Sequence, residues 1–185
     1  MHATVCDYIA DLVHNSVEAG ATRVALEIST GPEQIAVSVI DNGCGMDDAQ
    51  VLRAQNPFFS TPGKHDWRRV GLGLPLLQQA ADATGGMLAV RSAPGTGTTV
   101  TFSFSARHVD APPLGNLAGT LLTLLALSGS YELTVQRRSP TNTYTVARQA
   151  LLETLGDLEH ALNLALAREF LESLELEIAP QPHAA

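Results

Sequence analysis

The sequence predicts an α+β fold: a two-layer α/β sandwich with helices on one face of a sheet, followed by a small C-terminal α/β extension. Three observations point there. Along residues 5–105 the apolar pattern switches between helical and alternating periods, in the order helix, strand, strand, short helix, loop, helix, strand, strand. Neighbouring strands are joined by turns, which favours helices gathered on one face of the sheet. Pro112-Pro113 then breaks the pattern, so residues 1–107 read as one domain and 108–185 as the extension.

Each element has its own signal. Val5, Ile9, Leu12, Val13, Ser16 and Val17 recur at helical spacing, and Gly20 supplies the stop. Val24, Leu26 and Ile28 alternate, as do Ile35, Val37 and Val39. Gly31-Pro32 turns the chain between these runs, which makes them a hairpin. Asp41-Asn42-Gly43-Cys44-Gly45-Met46 is a glycine-bearing loop, and residues 47–55 form a short helix. Residues 56–71 hold Pro57, Pro62, Gly63, Lys64, His65, Arg68 and Arg69 with little helix or strand signal. A loop of that length suggests function. Gly71-Leu72-Gly73-Leu74-Pro75 opens a helix, with Pro75 suited to the first turn and Gly85-Gly86 at the end. Met87 to Arg91 reads as a strand, Pro94 to Gly97 as a turn, and Val100, Phe102 and Phe104 alternate in the next strand. Beyond the break come a helix over 114–127, strands over 131–137 and 143–146 about a turn at 139–142, and helices over 147–156 and 158–176. Leu121, Leu122, Leu124, Leu125 and Leu127 need cover, within the extension or on the sheet, with an oligomer interface as the alternative.

Composition narrows the class. Of the 185 residues, 45% are hydrophobic and 16% charged, which supports a buried core rather than disorder. The net charge is -8, and neither half is basic: residues 1–107 hold ten acids and seven Lys/Arg, residues 108–185 nine and four. That argues against binding a nucleic-acid backbone. Cys6 and Cys44 suit free thiols in a reducing compartment, not a disulfide framework or metal cluster. No basic segment followed by an apolar run opens the sequence, and the oily stretch Leu117 to Leu127 is too short to span a bilayer. The expectation is a soluble cytoplasmic protein with neither nucleic acid nor membrane as a partner.

Several polar groupings can carry chemistry. Asp11, Asn15 and Glu18 stack on one side of the first helix at spacings of four and three. The carboxamide oxygen of Asn15 suits a hard cation, and Asp11 can orient or deprotonate a water. A solvated helix face is the plain alternative. Asp41, at a strand end, can accept the exocyclic amine of adenine, while Gly43 and Gly45 let backbone approach a flat base. Otherwise this is a turn. Gly71 to Leu74 offers unpaired N–H groups and a positive dipole end to phosphate, or simply a helix entry. Lys64, Arg68 and Arg69 can screen phosphate or lie solvated. Thr98, after Gly95-Thr96-Gly97, can reach a base through its hydroxyl or serve as ordinary strand polarity.

In this order and spacing the segments resemble the GHKL, or Bergerat-fold, ATPases: type II topoisomerases, heat-shock chaperones, histidine kinases and mismatch-repair ATPases. Residues 7–20 resemble their N-box and Asp41 to Gly45 their first glycine box. Phe58-Phe59-Ser60-Thr61-Pro62 resembles the phenylalanine box of histidine kinases, and Gly71 to Leu74 the second glycine box. Gly85-Gly86 and Gly95 to Thr98 match the closing strands. The resemblance covers about residues 5–105. It implies Asn15 as the Mg²⁺ ligand, with the metal bridging the phosphates, and Asp41 holding adenine with help from Thr98. Gly71, Leu72 and Gly73 would contact phosphate through their backbone, with Leu74 beside them. Residues 56–70 would be the ATP lid, bringing Ser60, Thr61 and Lys64 to the nucleotide.

Two departures qualify the match. Hydrolysing members often carry Glu as general base where this chain has Asp11, one methylene shorter. No helical hairpin with a phosphoacceptor His precedes residue 7, and His14, inside the N-box helix, reads as a structural or surface residue. The chain is therefore not expected to phosphorylate itself in the usual way. His108 to Leu117 and the α/β tail resemble small stand-alone ATP-binding proteins of bacteria or archaea, often encoded near iron-hydrogenase genes. The resemblance implies an Mg²⁺-dependent ATP-binding protein that hydrolyses ATP or transfers its γ-phosphate to a partner protein. Two alternatives share the fold. One is an ATP-dependent switch or binding module with little turnover, using the acidic segment 108–185 as a docking or homodimer face. The other is a serine kinase of the anti-sigma type.

Overall fold

The computed structural model describes residues 4–55 and 73–178. Helix α1 (Val5–Glu18) begins at Thr4, whose side chain accepts from Asp7 N–H while the Asp7 carboxylate accepts from Thr4 N–H. This reciprocal cap satisfies two donors that a helix start leaves unpaired. The next two are met from far along the chain: Val5 N–H donates to Pro113 O and Cys6 N–H to Leu114 O. The helix buries Val5, Ile9, Leu12 and Val13 and turns Asn15 and Glu18 outward.

Strands β1 (Arg23–Thr30) and β2 (Gln34–Asp41) form the expected hairpin, in a register that sets Val24 opposite Asp41. The short helix α2 (Asp48–Gln55) follows. Helix α3 (Gly73–Ala83) leads into strands β3 (Met87–Ala93) and β4 (Gly97–Ser105). β3 runs past the expected end at Arg91 because Ser92 and Ala93 still pair with Thr98 and Gly97. β4 lies against β2 and places Thr98 opposite Asp41.

The C-terminal segment adds to the same sheet. Helix α4 (Leu117–Ala126) precedes β5 (Glu132–Arg138) and β6 (Thr143–Ala147), then helices α5 (Arg148–Leu155) and α6 (Ala161–Ile178). α4 starts three residues later than the apolar run suggests. Asn116 caps it by accepting from Gly119 N–H, while the Leu114 carbonyl is committed to α1. β5 runs parallel to β1, so the sheet order is β3-β4-β2-β1-β5-β6. The result is a two-layer α/β sandwich with one sheet of six strands.

Alternation along the strands gives the sheet one apolar face. Val24, Leu26, Ile28, Val37, Val39, Val100, Phe102, Phe104, Leu133 and Val135 are buried there, joined by Leu121, Leu124 and Leu125 of α4. Tyr8, Phe102 and Phe104 meet with ring centroids 5.6–6.3 Å apart. At the β5 end the buried face carries a charge. Arg137, 3% exposed, donates from Nη1 to Thr30 Oγ1 and Arg138 O, and its Nε lies 3.5 Å from Glu175 of α6. Tyr144 donates to the same carboxylate at 2.6 Å. Among the described residues, no helix is long and apolar enough to cross a membrane.

Candidate functional site

The site is built around Asp41, the last residue of β2. Its Oδ1 accepts from Gly43 N–H at 2.8 Å and from Thr98 N–H at 3.2 Å. Its Oδ2 accepts from Ser16 Oγ–H of α1 at 2.8 Å. A carboxylate offers about four acceptor positions. With three engaged by these donors, the group is fixed in orientation and keeps capacity for one more donor.

The loop after Asp41 is pinned on three sides. Asn42 Oδ1 accepts from Thr22 N–H and Arg23 N–H, and its Nδ2 donates to Thr22 Oγ1. Cys44 N–H donates to Ala19 O beyond the end of α1, and Cys44 O accepts from Gly95 N–H. Met46 N–H donates to Ser92 Oγ at 2.8 Å. Glycine is required at Gly45, where φ is +66° and a Cβ would stand 2.0 Å from Ala93 O. Gly43 is tight too, with Ala19 and Asp41 each 3.0 Å from an added Cβ.

The polar side of α1 carries Asp11 and Asn15. Asn15 precedes Ser16, and its Nδ2 donates to Asp11 Oδ2 at 3.4 Å. With the amide nitrogen turned to Asp11, the carbonyl oxygen is the atom that would meet a cation, a donor suited to Mg²⁺. Gly73, the first residue of α3, closes on the same carboxylate: a Cβ there would lie 1.8 Å from Asp11 Oδ2. Two groups result: Asn15 and Gly73 meet at Asp11, while Gly43, Thr98 and Ser16 meet at Asp41, and α1 joins the two because Ser16 follows Asn15 along it. Leu74 is the second residue of α3 and packs against the core. Ser60, Thr61, Lys64, Gly71 and Leu72, with the phenylalanine box and the whole basic group Lys64, His65, Arg68 and Arg69, lie outside the described residues.

Two residues were missed by sequence reasoning. In the sequence Ser16 reads only as part of the apolar stripe, where a lone hydroxyl is the available signal; in the structure it is 4% exposed. Ser92 faces Thr98 across the β3–β4 pair, their hydroxyls 2.9 Å apart, and also donates to Gly97 O. Nothing short of the strand register would have found it. The Thr98 hydroxyl is a candidate for reaching a base, with ordinary strand polarity as the alternative. Its neighbour here is Ser92, and it is the Thr98 backbone N–H that reaches Asp41. His14 Nδ1 lies 2.6 Å from Ala10 O, a contact within α1.

A six-stranded mixed sheet, helices on its apolar face and a strand-end carboxylate under an Asp/Asn-bearing helix define the class: an ATP-binding domain of the Bergerat type. The comparisons agree. A sequence model described as histidine kinase-, DNA gyrase B- and HSP90-like ATPase matches residues 4–108, and the chain belongs to that family. It is 35% identical over 96 residues to the signal transduction histidine-protein kinase AtoS of Escherichia coli, covering 50% of this chain and 15% of that one. It is 30% identical over 163 residues to the DNA mismatch repair protein MutL of Rippkaea orientalis, covering 83% of this chain and 28% of that one. Among solved structures, the N-terminal domain of a DNA repair protein superposes with a TM-score of 0.51 at 15% identity, over 78% of this chain and 52% of that chain. The chain therefore spans a small part of both curated relatives.

Proposed function

We propose that this protein binds ATP with Mg²⁺ and either hydrolyses it or passes the γ-phosphate to a partner protein. The observation that carries this reading is the held Asp41 carboxylate, engaged by Gly43, Thr98 and Ser16, with Ser16 on the same helix as Asp11 and Asn15. Its remaining acceptor capacity suits the adenine amine. Asn15 would hold Mg²⁺ through its carbonyl oxygen, and the metal would supply positive charge to offset that of the phosphates. Asp11, one turn before Asn15 on α1, would orient or deprotonate a water or an acceptor hydroxyl. His108 to Leu117 and the α/β tail resemble the small ATP-binding proteins encoded near iron-hydrogenase genes, which supports the same nucleotide chemistry, and the free thiols Cys6 and Cys44 suit a cytoplasmic setting.

Titration calorimetry with ATP and Mg²⁺ tests the binding step. Asp41→Asn replaces an acceptor oxygen with a donor and should weaken ATP by about tenfold or more. Equal affinity in both proteins would remove Asp41 from the site. Phosphate release, or transfer of labelled phosphate to a partner, should fall in Asp11→Asn while ATP affinity is kept. Background rates in both proteins would favour a nucleotide-dependent switch instead.

A further inference from the structure

Ser92 lies where three segments meet. It sits near the end of β3, directly opposite Thr98 of β4. Its Oγ accepts from Met46 N–H at 2.8 Å and donates to Gly97 O at 3.0 Å, and Thr98 Oγ1 stands 2.9 Å away. Counting hydrogens fixes the direction of the last bond. A serine hydroxyl has one hydrogen and two lone pairs. A carbonyl oxygen has no hydrogen to give, so the Ser92 hydrogen belongs to Gly97 O. A backbone N–H only donates, so Met46 occupies one lone pair. The other lone pair faces Thr98, and the hydrogen between the two hydroxyls comes from Thr98.

This direction sets what Thr98 can offer. With its hydrogen spent on Ser92, the hydroxyl presents only lone pairs to anything else. Asp41 lies opposite Thr98 across the β2–β4 pair, so the two side chains share one face of the sheet. A carboxylate also accepts only. The two residues therefore form an edge that takes hydrogen bonds and has none to give.

We propose that Ser92 is a positioning residue that sets the base preference of the site: by holding the Thr98 hydrogen, it selects a purine with an amine at position 6 and rejects one with a carbonyl there. The proposal rests on the nucleotide reading of Asp41. Asp41 by itself does not enforce the choice, because a 6-oxopurine carries a hydrogen on N1 that a carboxylate can also accept. Thr98 enforces it, since its oxygen meets the carbonyl lone pair against lone pair. Without Ser92 the Thr98 hydroxyl is free to turn and donate to that carbonyl.

The test titrates the full chain with ATP and with inosine triphosphate, each with Mg²⁺, by calorimetry. The two nucleotides differ only at position 6 and the N1 hydrogen. The unaltered chain should bind ATP at least about tenfold more tightly, and Ser92→Ala should narrow that ratio by about threefold or more. A merely structural role for Ser92 would weaken both nucleotides together and leave the ratio unchanged, which overturns the proposal. Ser92→Thr keeps the hydroxyl and should keep the ratio; a ratio narrowed there as well would trace the effect to packing and overturn it too. In Thr98→Val, which lacks the hydroxyl, adding Ser92→Ala should change the ratio no further. Additional narrowing in that double variant would mean that Ser92 does not act through Thr98. Should the unaltered chain bind neither nucleotide, the nucleotide reading fails and this proposal with it. ATP binding without preference over inosine triphosphate sinks this proposal alone.

Discussion

Ser16 shows how a single residue can set a site without carrying its chemistry. Its hydroxyl is shared between Leu12 O at 3.1 Å and Asp41 Oδ2 at 2.8 Å, which ties the Asp41 carboxylate to α1. Ser16→Ala should lower ATP affinity several-fold, about 1 kcal/mol for one hydrogen bond, with little change in the melting temperature. Calorimetry and thermal melts on the same preparation check both halves of that expectation. Gly73 is the second residue-scale device. An alanine there meets the end of the Asp11 side chain at 1.8 Å and no backbone, so the carboxylate can swing away cheaply. Gly73→Ala should therefore fold normally yet lose phosphate release as Asp11→Asn does, and the double variant should be no worse than either single one. Additive losses in steady-state assays would contradict this. Gly45 differs because its added Cβ meets a backbone carbonyl.

At the scale of elements, α6 is held to the sheet by a polar knot in an apolar setting. Arg137 is 3% exposed, and its Nε has Glu175 as an ion-pair partner at 3.5 Å but no hydrogen bond. Removing one member of a buried pair leaves the other charge stranded, a loss of about 3–5 kcal/mol. Glu175→Ala should approach that range, because Tyr144 loses its acceptor as well. Arg137→Met combined with Glu175→Leu should recover much of the stability, since neither charge remains to be solvated. Urea midpoints for the two proteins decide it. The start of α1 is a second junction. Its first donors rely on Pro113 and Leu114, so the segment after β4 completes a helix begun at residue 5.

At the scale of the whole molecule, β5 lies beside β1 and fills what would otherwise be an open sheet edge. The described residues before 108 and those from 108 to 178 therefore share one sheet and one core. That common core buries groups that resist ionisation. Burial pushes the Cys6 thiol up from 9.0 to about 11, partly offset by a hydrogen bond involving Thr120. Burial also raises Tyr8, Tyr131 and Tyr144, the last reinforced by Glu175. For such groups the unfolded chain releases its proton first. The stability they contribute is fully present below the unfolded value and is lost as pH climbs through the folded one. Stability should thus decline from about pH 9 upward. In Cys6→Ala the decline between about pH 9 and 11 should be shallower. Denaturant melts across that range supply the slope, and an identical slope in the variant would exclude the thiol as a source.

Much of this molecule could be read from local pattern. The helical recurrence of Val5 to Val17, the alternation from Val24 to Val39 and from Val100 to Phe104, and the ordered glycine boxes fixed the elements, their buried faces and the family. Each of these signals is a repeat within a few residues, set by backbone periodicity. What tertiary structure decided is the meeting of distant parts: β5 beside β1, Ser16 on Asp41, Gly73 against Asp11, and Glu175 on Arg137. No short window holds both partners of such a contact. Whether they meet depends on strand register and helix packing, which only the assembled sheet determines.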